Sequence, residues 1–227
     1  MRSNPISRLV PPALGALVAL FGAVVALALS GGHDAAAQGA SAEHRPVSQQ
    51  ELVFRMDLRR LWEDHVTWTR MAIISLTTDS PDTDATVGRL LRNQADLGDA
   101  IAPYYGRAAA DELTRLLRDH ILIAADLVAA AAAGDAASVE DAQTRWSGNA
   151  DQIAAFLAAA NPRSWTVGDL SAMLDEHLRL TTDEALARLA GDWAADVAAY
   201  DAIHLHALGM ADTLSSGIVS QFPGRFR

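Results

Sequence analysis

Apolar residues recur every three or four positions through six stretches of this chain, separated by polar, Gly- or Pro-containing breaks. That period predicts helices. The first covers about 51–78, with Leu58, Leu61, His65, Trp68, Ala72 and Leu76 on one face, and ends at Asp79-Ser80-Pro81-Asp82, because a proline disfavours helical geometry in the residue before it. The second, about 84–102, runs through Val87, Leu90, Leu91, Leu97 and Ile101 and is expected to break at Pro103-Tyr104-Tyr105-Gly106. The third, about 107–133, carries Leu113, Leu116, Leu117, His120, Ala124 and Leu127 and finishes at Gly134.

The fourth, about 136–159, aligns Val139, Ala142, Trp146, Asn149, Ile153 and Phe156, then stops at Asn161-Pro162. Ser164 or Thr166 is placed to cap the fifth, about 167–190, with Asp169 near its positive end. That helix carries Leu170, Leu174, His177, Thr181 and Leu189 and ends near Gly191. The sixth, about 192–219, follows Val197, Asp201, His204 or Leu205, Leu208 and Asp212, and Phe222-Pro223-Gly224 closes the fold. No stretch shows the two-residue alternation of a strand. The fold class predicted is all-α: a six-helix bundle with an internally duplicated αα unit, over 51–224, with 225–227 as a short tail.

The duplication rests on polar landmarks. His120 and His177, Asp126 and Asp183, and Gly134 and Gly191 all stand 57 residues apart, while Asn93 and Asn149 are 56 apart. Two units are too few for a solenoid. They are expected to pack across a pseudo-twofold axis, with the first and sixth helices completing the bundle.

The pattern changes before residue 41. Arg2 and Arg8 precede an apolar run from Pro11 to Leu29, and Ala35-Ala36-Ala37 follows. Positive front, apolar middle and small-residue exit is the order of a secretory signal, with cleavage expected after Ala37. The run also approaches the roughly 20 residues that span a bilayer, so an uncleaved signal anchor stands beside the cleaved peptide. Either way 1–40 is a targeting segment, 41–50 a linker, and the bundle is secreted or envelope-associated. Membrane contact is expected only through that segment, if it stays uncleaved.

The totals narrow the chemistry. Formal charge is −10 with no run of Lys or Arg, which argues against nucleic acid as a partner. Cysteine is absent, which removes disulfides, thiolate sites and thiol catalysis. No nucleophile elbow, phosphate loop or dinucleotide fingerprint is present, so no catalytic residue is assigned.

What remains are polar residues on apolar stripes. His65, His120 and His177 each interrupt one, and three imidazoles with a carboxylate can ligate a divalent metal ion, the candidate cofactor. Glu184, seven residues after His177, and Asp212 are the carboxylates nominated, with Asp96 and Asp201 also on inward-drawn stripes. The competing reading leaves the histidines as core hydrogen-bonding groups. Asn93 with Asp96, and Asn149 with Asp151 or Gln152, are drawn as helix cross-links or ligand contacts. Trp68 and Arg70, in Trp62-Glu63-Asp64-His65-Val66-Thr67-Trp68-Thr69-Arg70, are placed to wall a pocket and attract an anion, or to pack and pair. His206 and Met210, four apart, form a weaker candidate pair for a metal or haem iron.

Leu61-Trp62-Glu63-Asp64-His65, Trp68-Thr69-Arg70-Met71, Tyr105-Gly106, Asn149-Ala150-Asp151, Asn161-Pro162, His177-Leu178-Arg179-Leu180-Thr181, Tyr200-Asp201, Met210-Ala211-Asp212 and Gln221-Phe222-Pro223 appear in this order. Over about 56–224 the series resembles a family of uncharacterised bacterial all-helical proteins from Gram-positive lineages. The resemblance implies a shared purpose for the polar interior and carries no activity with it.

The leading expectation is a non-catalytic exported bundle that binds a small ligand or divalent metal. It predicts His65, His120 and His177 converging on a cavity or ion, with Asn93, Asn149 and a carboxylate nearby. The alternative is a structural or protein-interaction envelope protein with scattered, internally satisfied histidines and an apolar surface patch. A metal-dependent enzyme is third.

Overall fold

The computed structural model of the chain describes residues 46–227. The predicted targeting segment and the first half of the linker, 41–45, lie outside the described residues. Six helices follow: α1 (Gln49–Thr77), α2 (Thr83–Tyr105), α3 (Arg107–Ala133), α4 (Ala136–Ala160), α5 (Val167–Ala190) and α6 (Trp193–Gln221). A single 3-10 turn, Pro223–Arg225, ends the chain. The described residues form no strand.

Local chemistry sets the starts and stops. Ser48, Asp135, Thr166 and Asp192 each accept a hydrogen bond from a backbone N–H three residues on, giving α1, α4, α5 and α6 side-chain N-caps. Thr166, rather than Ser164, caps α5. Gly134 and Gly191 end α3 and α5 at φ +73° and +70°, a region glycine enters without a Cβ clash. Each passes directly to an aspartate that caps the next helix, so α3–α4 and α5–α6 are joined by the same two-residue turn.

The break predicted over Pro103-Tyr104-Tyr105-Gly106 falls at its last residue. α2 continues through Pro103 to Tyr105 and turns at Gly106, φ +83°. Pro103 stands in the last turn, and aromatic packing holds the turn in place. Tyr104 stacks on Phe226 at 5.5 Å and meets Phe54 at 5.1 Å, while Tyr105 contacts Phe222 at 5.3 Å. Phe226 falls in the stretch drawn as a tail, yet it is 1% exposed and belongs to this aromatic cap.

Each helix packs against its neighbours in sequence, and α6 returns to α1, closing a ring. α1 also packs against α3 and α5. The odd-numbered helices therefore form an inner triad, and α2, α4 and α6 sit in the clefts between them. The three sequence-nominated histidines lie on α1, α3 and α5, so the topology draws them together.

Close approach is demanded at one point on α2. A Cβ on Gly98 would meet the Thr114 side chain and come 2.7 Å from the Ala110 carbonyl oxygen of α3. A Cβ on Gly88, in the same helix, would meet nothing within 4 Å. Gly88→Ala is therefore expected to stabilise by about 0.5–1 kcal/mol through helix propensity. Gly98→Ala is expected to destabilise by about 1–3 kcal/mol through overpacking. Urea midpoints of the two variants test the pair. Equal shifts would mean that α2 and α3 are not in backbone contact there.

Candidate functional site

His65, His120 and His177 are each 5% exposed and meet inside the inner triad. The His65 and His177 ring centroids are 5.7 Å apart, and those of His120 and His177 are 6.2 Å apart. A fourth imidazole joins from α6: His206 lies 6.1 Å from His177.

The three hairpins α1–α2, α3–α4 and α5–α6 repeat one contact. In each, a backbone carbonyl four residues before the histidine accepts a hydrogen bond from a side chain on the following helix. Asn93 donates to Leu61 at 2.9 Å, Asn149 to Leu116 at 3.1 Å, and His206 to Met173 at 3.0 Å. Each histidine also faces the residue 29 positions on: His65 faces Gln94, His120 faces Asn149, and His177 faces His206. In the first hairpin the two tasks are divided between Asn93 and Gln94. In the other two, one residue performs both.

The middle hairpin determines its own protonation state. Trp146 Nε1 carries a hydrogen and no acceptor lone pair, so at 3.1 Å it must donate to His120 Nε2. The Leu116 carbonyl orients the Asn149 amide with its nitrogen outward, which leaves Asn149 Oδ1 to accept from His120 Nδ1 at 2.8 Å. His120 is thus a neutral imidazole with its proton on Nδ1 and both nitrogens engaged. His65 differs: Gln94 Nε2, 2.9 Å from the Leu90 carbonyl, is also 3.3 Å from His65 Nδ1, which accepts. His177 Nδ1 and Gln94 Oε1 are buried with no hydrogen-bond partner among the described residues.

Desolvation governs the charge of this layer. Burial lowers the His65 pKa to about 3, with His120 as a lesser cause. Burial lowers His120 to about 4, against the opposing pull of its Asn149 bond. His177 is held well below its ordinary value by burial, then by the neighbouring imidazoles.

The other nominated residues go elsewhere. Glu184 is buried but accepts from Arg70 at 2.8 Å, and Arg70 also bonds Asp196 at 2.9 and 3.1 Å. Arg70 does turn inward, where the chain's own carboxylates take up its guanidinium and the Tyr200 ring packs on it. Burial raises the Glu184 pKa to about 7, with Arg70 acting in the opposite direction. Asp212 sits on the surface with Arg59. Asp96 and Asp201 are exposed, so their stripes do not face the interior as drawn. Trp68 packs on Ala72, Leu90 and Ile121, with Arg89 over its ring at 5.2 Å. Met210 is buried in the core, while His206 Nε2 faces the Met173 carbonyl.

Among the described residues no group of three or more His, Asp or Glu is placed to hold a metal ion. The physical reasons are visible: His120 has no free lone pair, Glu184 serves Arg70, and Asp212 is at the surface. Sequence reasoning passed over Gln94, Trp146 and the place of His206 in this layer. The recurring 29-residue spacing was the signal that would have found Gln94 and His206. Comparison with family models, curated proteins and solved structures finds no match.

The lowered imidazole pKa values have a defined sign. An unfolded imidazole titrates near 6.5, so between that pH and about 3 to 4 the folded state binds fewer protons at His65 and His120. Their contribution is complete above pH 6.5 and is lost as pH falls below it. Glu184 opposes this, because its raised pKa adds stability below about 4.5 that is lost as pH rises towards 7. Three buried imidazoles outweigh one carboxyl. The urea midpoint is expected to fall between pH 7 and pH 5, and a midpoint that rises over that interval would contradict the buried, neutral layer.

Proposed function

We propose that this chain is a non-catalytic structural or protein-interaction component of the cell envelope, exported by its N-terminal segment. In this reading the histidine layer is a cross-link that keeps three helical hairpins in register. The observation that carries it is His120: both ring nitrogens are engaged, by Trp146 and Asn149. A metal-binding or acid–base role needs a nitrogen free to accept an ion or a proton, and His120, at the middle of the layer, has none.

Two further features support the reading. The contact from the second helix to the carbonyl before the histidine recurs in every hairpin, as expected of repeated copies of one αα unit. At the start of α1, Leu52, Val53 and Met56 stand 51%, 50% and 61% exposed. An apolar face there suits a protein partner outside the cytoplasm. No described helix is long and apolar enough to cross a membrane. Membership of the bacterial helical family that the motif series resembles belongs to the same proposal.

The test is metal uptake by the full chain, purified without a histidine tag and stripped of loosely bound ions. Elemental analysis is expected to find no stoichiometric metal, and added zinc, copper or nickel is expected to leave the melting temperature unmoved. Near-stoichiometric metal that disappears in the His65→Gln, His120→Gln, His177→Gln triple variant would overturn the structural reading in favour of a metal centre.

A further inference from the structure

The two ends of the bundle carry opposite charge. α1, α3 and α5 run one way and α2, α4 and α6 return, because each helix packs on the next through a short connection. Where α2, α4 and α6 begin, the connecting segments carry Asp79, Asp82, Asp135 and Asp192, all exposed, and no arginine. Arg70 and Arg188, near that end, are taken up by Glu184 and Asp196. At the opposite end the connection 161–166 and the closing segment 222–227 carry Arg163, Arg225 and Arg227, all exposed, and no aspartate or glutamate. Arg225 donates to the Pro103 carbonyl, and none of the three has an Asp or Glu partner among the described residues. The caps show that this polarity is not a by-product of folding. Asp82, Asp135 and Asp192 hold the N-cap positions at one end, while Ser48, Gly106 and Thr166 hold them at the other. Neutral and charged residues serve that position about equally well.

Exposed apolar side chains accompany each charged end. Leu52, Val53 and Met56 stand near the start of α1, at the arginine end. Trp193 and Val197, 58% and 52% exposed and about one turn apart, open α6 at the aspartate end. α1 and α6 pack side by side in opposite directions. The two apolar patches therefore lie on neighbouring helices at opposite ends of the bundle.

From this we infer that the bundle's partner is a second copy of this chain, held head to tail. The arginine end and α1 patch of one copy meet the aspartate end and α6 patch of the next. A two-fold contact would match each surface with itself and set arginine against arginine or aspartate against aspartate. The head-to-tail contact pairs unlike charges and covers apolar surface on both sides. Charge sets the orientation and suppresses the like-ended encounter, while the apolar residues supply the burial that favours association. The helices are about 40 Å long at about 1.5 Å per residue, so the two surfaces of one copy engage different neighbours, and the contact propagates as an open chain of copies. This inference rests on the protein-interaction reading and names the partner it calls for.

The chain has no cysteine, so an introduced one reports its own surroundings. Full-length Val53→Cys and Val197→Cys variants are mixed and treated with a short bismaleimide. The mixed dimer is expected in excess over either like-paired dimer, and the V53C/V197C double variant is expected to give a ladder of multimers. The mixed product is expected to fall as salt rises from about 0.01 to 1 M, over which the screening length shrinks from about 30 to about 3 Å. Arg225→Glu with Arg227→Glu in the Val53→Cys chain is expected to lose the mixed product while keeping the native melting temperature. Arg163→Glu serves the same purpose should that variant not fold. Metal uptake tests the structural reading separately, so a metal-free protein that gives no mixed product would lose this inference and keep that reading. Absence of the mixed product, like-paired products in equal yield, or a product indifferent to both salt and charge reversal would overturn the head-to-tail contact.

Discussion

Burying imidazoles at the centre of a helical bundle requires that they stay neutral and favours those with partners, a constraint met in full at His120 while His177 Nδ1 stays unpartnered among the described residues. Three histidines occupy the inner triad, where a positive charge would be strongly disfavoured. The solution at His120 is a directional chain: Trp146 donates to the ring, the ring donates to Asn149, and Asn149 donates to the Leu116 carbonyl. Every link has one possible direction, so position, tautomer and charge are decided together. A change of helix register would leave buried polar atoms unpaired, at about 1–3 kcal/mol for each.

The same constraint explains the repetition. A hairpin that presents a histidine from its first helix needs a polar side chain from its second helix at the same level, and the 29-residue spacing provides one in all three hairpins. The charged residues are arranged separately. Arg70 bridges Glu184 and Asp196, joining α1, α5 and α6, with Arg188 also bonded to Asp196. Desolvated charge is thereby paired among these residues, away from the imidazoles. Next to the layer, an apolar cavity lies where large side chains from six helices meet without filling the space.

Much of this was legible in the sequence. The helical period, the glycine stops at Gly134 and Gly191 and the Thr166 cap are local signals, and the structure has them where they were drawn. The inward placement of His65, His120, His177, Asn93 and Asn149 was also legible, because each lies between apolar residues one turn away on either side of its stripe. The carboxylates were not. Asp96 and Asp212 lie near stripe edges, where a small rotation of the helix moves a side chain from core to solvent, and periodicity does not resolve that rotation. Glu184 was correctly drawn inward, but its partner lies 114 residues away on α1, a distance that no local pattern encodes. The break over 103–106 was legible as well, but its place at Gly106 rather than Pro103 depends on packing of Tyr104 and Tyr105 against Phe54, Phe222 and Phe226, which are remote in sequence.

His120 is the pivot of the layer, a neutral ring with its proton on Nδ1 and its Nε2 held by an indole. Long-range ¹H–¹⁵N correlation of the imidazole nitrogens at pH 7 tests this most directly. The predicted result is a protonated Nδ1, an unprotonated Nε2 for His120, and a coupling across the hydrogen bond to Trp146 Nε1. A protonated Nε2, an imidazolium, or a metal-shifted nitrogen would contradict it and would return the buried histidines to the status of a binding centre.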